Sequence, residues 1–289
     1  MYRLIAVSLV GFAAGTALGQ TGAAQDKEIR LIVRGDDMGS CHAANEACIQ
    51  CFRKGIVQSV EVIVPGPWYT EAVRMLKDNP SLDVGVHLTL TSEWQFYKWG
   101  PVTHALSLVD KHGHFYPATS QRPDFPPNTG FLEANPRLDE VERELRAQIE
   151  LAVADIPHVS HLSSHMNTPT ATPQLLAIVE RLSREYRLPL EAPGARPAGY
   201  LGGPNATPEQ KEAAMVQMIE NLTPGTWLFV DHPGLDTPEM QGIGHVGYEN
   251  VAADRAGVTR AFTSDKAREA VRRRAIRLIS YAEYYGKKG

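Results

Sequence analysis

The sequence predicts an α/β fold, a (β/α) barrel that is closed or incomplete, with about seven parallel strands and long loops at their carboxyl ends. Three observations carry that expectation. Short apolar runs of the buried-strand type alternate with segments of helical period along most of the chain. Capping and turn residues separate them. The chemically unusual residues fall where the strand-like runs end, and α/β folds place their sites there.

Each element has its own signal. Residues 29–33 are an apolar run that leads into Gly35-Asp36-Asp37-Met38-Gly39. Residues 43–53 read as a helix closed by Gly55. Residues 59–64 are rich in β-formers and stop at Pro65-Gly66. A helix over 70–77 ends before Asn79-Pro80, because the residue before a proline disfavours helical geometry. A third strand follows at 84–90. Residues 91–136 are rich in Pro, Gly, Trp and polar residues and have little periodicity, so they read as a long functional insertion. Val141, Leu145, Ile149 and Val153 stripe one face of a helix over 138–154. Residues 159–165 form a fourth strand. Thr172 and Thr207 are placed to cap helices beginning at Pro173 and Pro208. A brief strand at 188–190 precedes a Gly/Pro-rich loop, and 226–230 is apolar again. Residues 233–262 read as a second long loop. Ser264 is placed to cap a helix to about Arg274, and 275–280 reads as a last strand. Parallel strands joined by right-handed helical crossovers satisfy this alternation.

Composition bounds the rest. The 289 residues are 43% hydrophobic and 21% charged with a formal net charge of −4, which excludes disordered, collagen-like and coiled-coil classes. Mild acidity gives no electrostatic reason for a nucleic-acid partner. Residues 1–24 carry Arg3, an apolar run and small residues suited to signal peptidase, so they read as a signal peptide. The expected mature chain is a single domain over 25–289, exported to the periplasm or beyond the cell, with no stable membrane insertion. Cys41, Cys48 and Cys51 crowd one stretch in poor disulfide geometry and read as buried thiols. Oligomeric state is left open.

Four strand ends carry metal-type ligands: Asp36-Asp37, His87, His161 with His165, and Asp231-His232. A mixed Asp/His set converging at one mouth suits zinc or another divalent ion, with magnesium as the alternative. Trp94, Phe96, Tyr97 and Trp99 follow the His87 strand; Trp94 and Trp99 are the candidates for stacking on a sugar ring, against a reading as a packed loop. Tyr200, Trp227 and Tyr248 are weaker candidates.

The order of these pieces resembles a known family. Val33-Arg34-Gly35-Asp36-Asp37-Met38-Gly39-Ser40, then Ala44-Asn45-Glu46-Ala47, then Gly55-Ile56-Val57-Gln58-Ser59 resembles the opening of the YdjC-like carbohydrate deacetylases, which include the chitooligosaccharide deacetylases. Gly85-Val86-His87-Leu88-Thr89-Leu90-Thr91, His161-Leu162-Ser163-Ser164-His165 and His232-Pro233-Gly234 resemble the later signatures. The resemblance implies a barrel-like fold, a divalent metal ion and hydrolysis of an N-acetyl group on an amino sugar or oligosaccharide. It implies metal ligation by Asp37, His87 and His165, with His161 as the other choice for the third ligand. It implies Asp36 as the base and His232 as the acid that protonates the leaving amine. The chain departs from the family at Arg34-Gly35, where Asn-Ala is usual. Ser163 stands where an Asp is usual, and Asn167 and Pro169 stand where His is usual. Glu191 follows the next strand where the family has an Arg. A metal-dependent esterase or amidase on another acylated sugar, and an inactive carbohydrate-binding protein on the same scaffold, are the alternatives.

Overall fold

The computed structural model describes residues 27–286, so the expected signal segment 1–24 lies outside the described residues. The strands are β1 (Ile29–Met38), β2 (Ser59–Val62), β3 (Asp83–Leu88), β4 (Val159–Ser164), β5 (Arg196–Pro197), β6 (Gly225–Asp231) and β7 (Arg277–Leu278). Every pairing among them is parallel, in the order β4-β3-β2-β1-β6-β5, with β7 beside the first half of β1. Leu190 bridges Leu162 on β4, and Arg196 pairs with Trp227 on β6. The segment between them therefore reaches from one sheet edge to the other, and the sheet curls into an incomplete (β/α) barrel.

The crossovers are α1 (His42–Lys54), α2 (Tyr69–Lys77), α3 (Leu138–Asp155), α4 (Pro173–Tyr186) and α5 (Pro208–Asn221). Thr172 accepts the Leu175 N–H, and Thr207 forms a reciprocal capping box with Gln210. The segment expected as a second long loop instead contains α6 (Pro238–Gln241) and α7 (Val251–Thr263). Buried residues lie nearly all round α7, so it has no apolar stripe to betray it. Then come α8 (Asp265–Arg273), capped by Ser264, and α9 (Tyr281–Tyr284).

Two expected strands are shorter than the sequence suggests. The run 188–190 contributes only the Leu162–Leu190 bridge, because Glu191 turns into the left-handed region (φ 55°) and leaves the ladder. The run 275–280 keeps two paired residues, since Ala275 is left-handed (φ 50°) and Ser280 already caps α9.

Side chains alternate along the central strands. Val33, Val60, Val62, Val84 and Val86 lie in the apolar layers packed against the helices. Arg34, Asp36, Glu61, His87, His161 and Ser163 are buried and contact one another in the barrel interior. The interior is polar and charged, an expensive arrangement unless each group is paired. The three cysteines are buried and free, as expected. Among the described residues no helix is long and apolar enough to cross a membrane.

Candidate metal centre and active site

Adjacent strand residues normally face opposite sides, yet Asp36 and Asp37 both serve the barrel mouth. The β1–β2 register shifts between Gly35 and Met38, and Asp37 takes φ 69°. The turn that follows is pinned from α1. Asn45 Oδ1 accepts the Gly39 N–H at 2.6 Å, and its amide reaches the Trp68 carbonyl and Glu71. Gly39 is left-handed (φ 92°), and a Cβ there would stand 2.7 Å from the Ile63 carbonyl oxygen.

Asp37, His87 and His165 converge. Each offers a ligand atom, and the three lie within 4.8 Å of one another. Asp37 Oδ1 is 3.8 Å from His87 Nε2 and 3.4 Å from His165 Nδ1. That oxygen is buried without a hydrogen-bond partner. The other, Oδ2, accepts from Arg255 Nη2 at 2.8 Å. A buried carboxylate oxygen left bare between two imidazole nitrogens fits a divalent cation. Burial alone would raise the Asp37 pKa, but His232, Arg255 and His165 hold it well below the usual carboxylate range. Burial, and then the neighbouring His165, keep the His87 pKa well below 6.5, in the neutral form that ligates metals. His165 is different. Burial opposes its charge, but Glu93 at 3.0 Å from Nε2 and Asp37 near Nδ1 raise its pKa to about 10. Glu93 thus fixes Nε2–H, and Nδ1 is the atom turned to the site; a cation there takes the place of a proton.

Asp36 lies alongside. Arg34 grips it with a two-pronged fork, Nε to Oδ1 at 2.7 Å and Nη2 to Oδ2 at 2.9 Å. The third guanidinium nitrogen donates to Glu191 Oε2 at 2.8 Å. Two of the departures from the family pattern are therefore one feature, since the arginine on β1 and the acid that follows the Leu162–Leu190 bridge meet in space. His232 Nε2 stands 4.0 Å from Asp37 Oδ2, and its Nδ1 3.6 Å from Asp231 Oδ1. Burial lowers its pKa, but Asp37 and then Asp231 raise it above 6.5 on balance. Its side chain is 41% exposed, whereas those of Asp36, Asp37, His87 and His165 are nearly closed to solvent.

The structure places His161 elsewhere. Its Nε2 contacts Glu61 Oε1 at 2.6 Å, Nδ1 contacts Ser160 Oγ at 2.7 Å, and the ring stacks on Tyr281 at 3.8 Å. It is part of the barrel floor and does not share the Asp37 cluster; it faces the same interior as Ser163 but lies deeper along β4, against Glu61. Trp94 and Trp99 are each 3% exposed, packed in the loop layer. Trp94 lies against His245 and under Arg255, and Trp99 donates to the Thr91 carbonyl. Neither offers an open face to a sugar, and the packed-loop reading describes them. Of the weaker candidates, Tyr200 and Tyr248 line a pocket of about 310 Å³ with Asp231 and His232, whereas Trp227 stacks under Arg196 near the start of β6. Sequence reasoning missed the roles of Arg34, Glu61, Glu93 and Arg255. Arg255 and Glu93 lay in segments read as loop, and Arg34 and Glu61 take partners far away in sequence.

A family model described as YdjC-like protein matches residues 30–273. The chain belongs to the YdjC-like family. Among its relatives is a protein named carbohydrate deacetylase from Brevibacillus brevis, 27% identical over 273 residues, covering 88% of this chain and 99% of that one. Another of the same name, from Thermus thermophilus, is 31% identical over 236 residues, covering 74% and 80%. A solved structure from Enterococcus faecalis, described as a cellobiose-phosphate cleavage protein, superposes with a TM-score of 0.71 at 24% identity, covering 89% of this YdjC-like chain and 98% of its own. That likeness concerns the fold.

Proposed function

We propose that the chain is an exported, metal-dependent carbohydrate deacetylase that hydrolyses the N-acetyl group of an amino sugar or oligosaccharide. Its YdjC-like relatives named carbohydrate deacetylase support the reaction class. The observation that carries metal dependence is the buried, partnerless Asp37 Oδ1 between His87 Nε2 and His165 Nδ1. The charged-then-apolar segment 1–24 supports export.

Asp37 Oδ1, His87 Nε2 and His165 Nδ1 would hold the ion, zinc in preference to magnesium given two imidazoles. A divalent ion, when bound, polarises an amide carbonyl and makes water more acidic. Arg255 occupies the other oxygen of Asp37 and so leaves Oδ1 to the site. Asp36, held by Arg34, accepts the proton of the attacking water at a carboxylate oxygen. His232, with Asp231 beside Nδ1, delivers a proton from Nε2 to the departing nitrogen. Water adds to the carbonyl carbon, the C–N bond breaks, and acetate and a free amino sugar leave. The pocket at His232, lined by Tyr200 and Tyr248, is where the sugar would rest.

The test is acetate release from a panel of N- and O-acetylated sugars, with and without chelator. Chelation should abolish release, and the Asp37→Ala and His87→Ala proteins should lose the bound ion. Release indifferent to chelator removes the mechanism. Release confined to O-acetyl sugars makes the protein an esterase. Sugar binding without any release makes it a binding protein.

A further inference from the structure

We propose that Glu61 sets the metal-binding face of His87 through the hydroxyl of Ser163, a three-residue relay that makes both Glu61 and Ser163 positioning residues. The inference rests on the reading of His87 as a ligand. Ser163 stands where the family usually has an aspartate, so a carboxylate able to orient a ligand imidazole is missing from β4 itself. The fold supplies it from β2. Glu61 is wholly buried and faces the barrel interior. Its Oε1 accepts from His161 Nε2 at 2.6 Å, and its Oε2 accepts the Ser163 hydroxyl proton. Ser163 Oγ in turn lies 2.7 Å from His87 Nδ1.

Proton counting fixes the direction of this chain. A carboxylate flanked by the Arg34 guanidinium at 3.9 Å has no proton to donate. The single hydroxyl proton of Ser163 therefore goes to Glu61. What Ser163 offers His87 is a lone pair, so His87 must present Nδ1–H to it. A neutral imidazole has one N–H, and Nε2 is left with its lone pair. That nitrogen is the one 3.8 Å from Asp37 Oδ1. Gly85 gives the carboxylate its room, for a Cβ there would stand 2.2 Å from Glu61 Oε2 and 2.5 Å from His161 Nε2.

Replacing Glu61 by glutamine reverses the relay without emptying it. The amide oxygen stays on His161 N–H, and the amide nitrogen now donates to Ser163. Ser163 must then donate to His87 Nδ1, and the imidazole proton moves to Nε2, against the site. Two readouts test this on the full-length protein. ¹⁵N NMR of metal-free wild type should show His87 protonated at Nδ1, and Glu61→Gln should show it protonated at Nε2. Zinc affinity, by competition with a chromophoric chelator, should fall about 10–100-fold in Glu61→Gln and Ser163→Ala. Ser163→Thr keeps the hydroxyl and should keep the affinity. Wild-type His87 protonated at Nε2, or Ser163→Ala binding zinc as wild type does, overturns the relay. Loss of the deacetylase reading shows separately, as absent acetate release with both readouts intact. If wild type takes up no zinc, the metal reading falls and the tautomer alone decides the relay.

Discussion

Asp36 and Asp37 are neighbours in sequence that each come within 3.8 Å of His87 Nε2 yet are held by different arginines, and the difference is conformational. The left-handed turn at Asp37 aims its carboxylate at His87 and His165, while Asp36 stays in strand geometry beneath the Arg34 fork. Their substitutions should therefore separate. Asp36→Asn keeps the shape and the acceptor for Arg34 Nε but removes the proposed base, so kcat should fall by about 10²–10⁴-fold with zinc uptake unchanged. Asp37→Asn puts an amide at the oxygen proposed to face the ion and should abolish zinc uptake. Kinetics paired with metal analysis checks both; an Asp36→Asn enzyme that keeps its kcat leaves the base unassigned. These two residues, with His87, His165 and His232, were legible because each is an unusual residue type at a strand end. Arg34 was legible only as a departure. Its meaning depends on Glu191, 157 positions away, which no local pattern connects to it.

At the scale of elements, the capped amphipathic helices were readable and the buried helix was not. Thr172, Thr207 and Ser264 all cap as their positions suggest, because capping is a local hydrogen-bond matter. The helix α7 is buried nearly all round against α1 and α5, so its sequence mixes small, apolar and charged residues without period. The cost of missing it was Arg255, the partner of Asp37. The strands hid a second message in their alternation. Ser59-Val60-Glu61-Val62 and Asp83-Val84-Gly85-Val86-His87-Leu88 put valines outward and polar groups inward, which is the signal that could have found Glu61. The junction of α1 with α7 yields an element-scale prediction. A Cβ at Gly55 would stand 2.2 Å from the Phe262 carbonyl oxygen and 2.6 Å from that of Cys51, both backbone atoms of elements that cannot easily give. Gly55→Ala should destabilise the fold by about 1–3 kcal/mol in urea unfolding, as overpacking does. Zinc uptake should stay as it was, since a Cβ at Gly55 meets the Phe262 and Cys51 backbone and none of the proposed ligands. A midpoint equal to wild type means that the two helices can part freely.

The barrel encloses buried charge, and the stability of the fold should depend on pH accordingly. Glu61 and His161 meet in the barrel interior with no solvent exposure. Around His161 stand Glu61 on β2, Asp83 on β3 at 3.9 Å from Nδ1, Arg34 on β1 and the Tyr281 ring of α9. Burial opposes the imidazolium and Arg34 repels it, but Glu61 and Asp83 prevail and raise its pKa above 6.5. Burial likewise opposes the Glu61 carboxylate, and His161 and Arg34 overcome it to bring its pKa below 4.5. The signs follow from linkage. A raised imidazolium pKa gives stability that is fully present below 6.5 and is lost as pH climbs through the folded value. A lowered carboxylate pKa gives stability present above 4.5 and lost as pH drops through the folded value. The pair thus contributes fully between those ordinary values and less on either side. Removing one partner of a buried ion pair typically costs about 3–5 kcal/mol when the other is left charged and alone. His161→Gln avoids that extreme, because a glutamine amide still donates to Glu61 while titrating nowhere. Thermal melts from pH 6 to 9, without added metal, should show wild type losing stability faster than His161→Gln as pH rises. Parallel curves would mean that His161 is neutral in the folded barrel, and Glu61 would then rely on Arg34 and Ser163 alone for its charge.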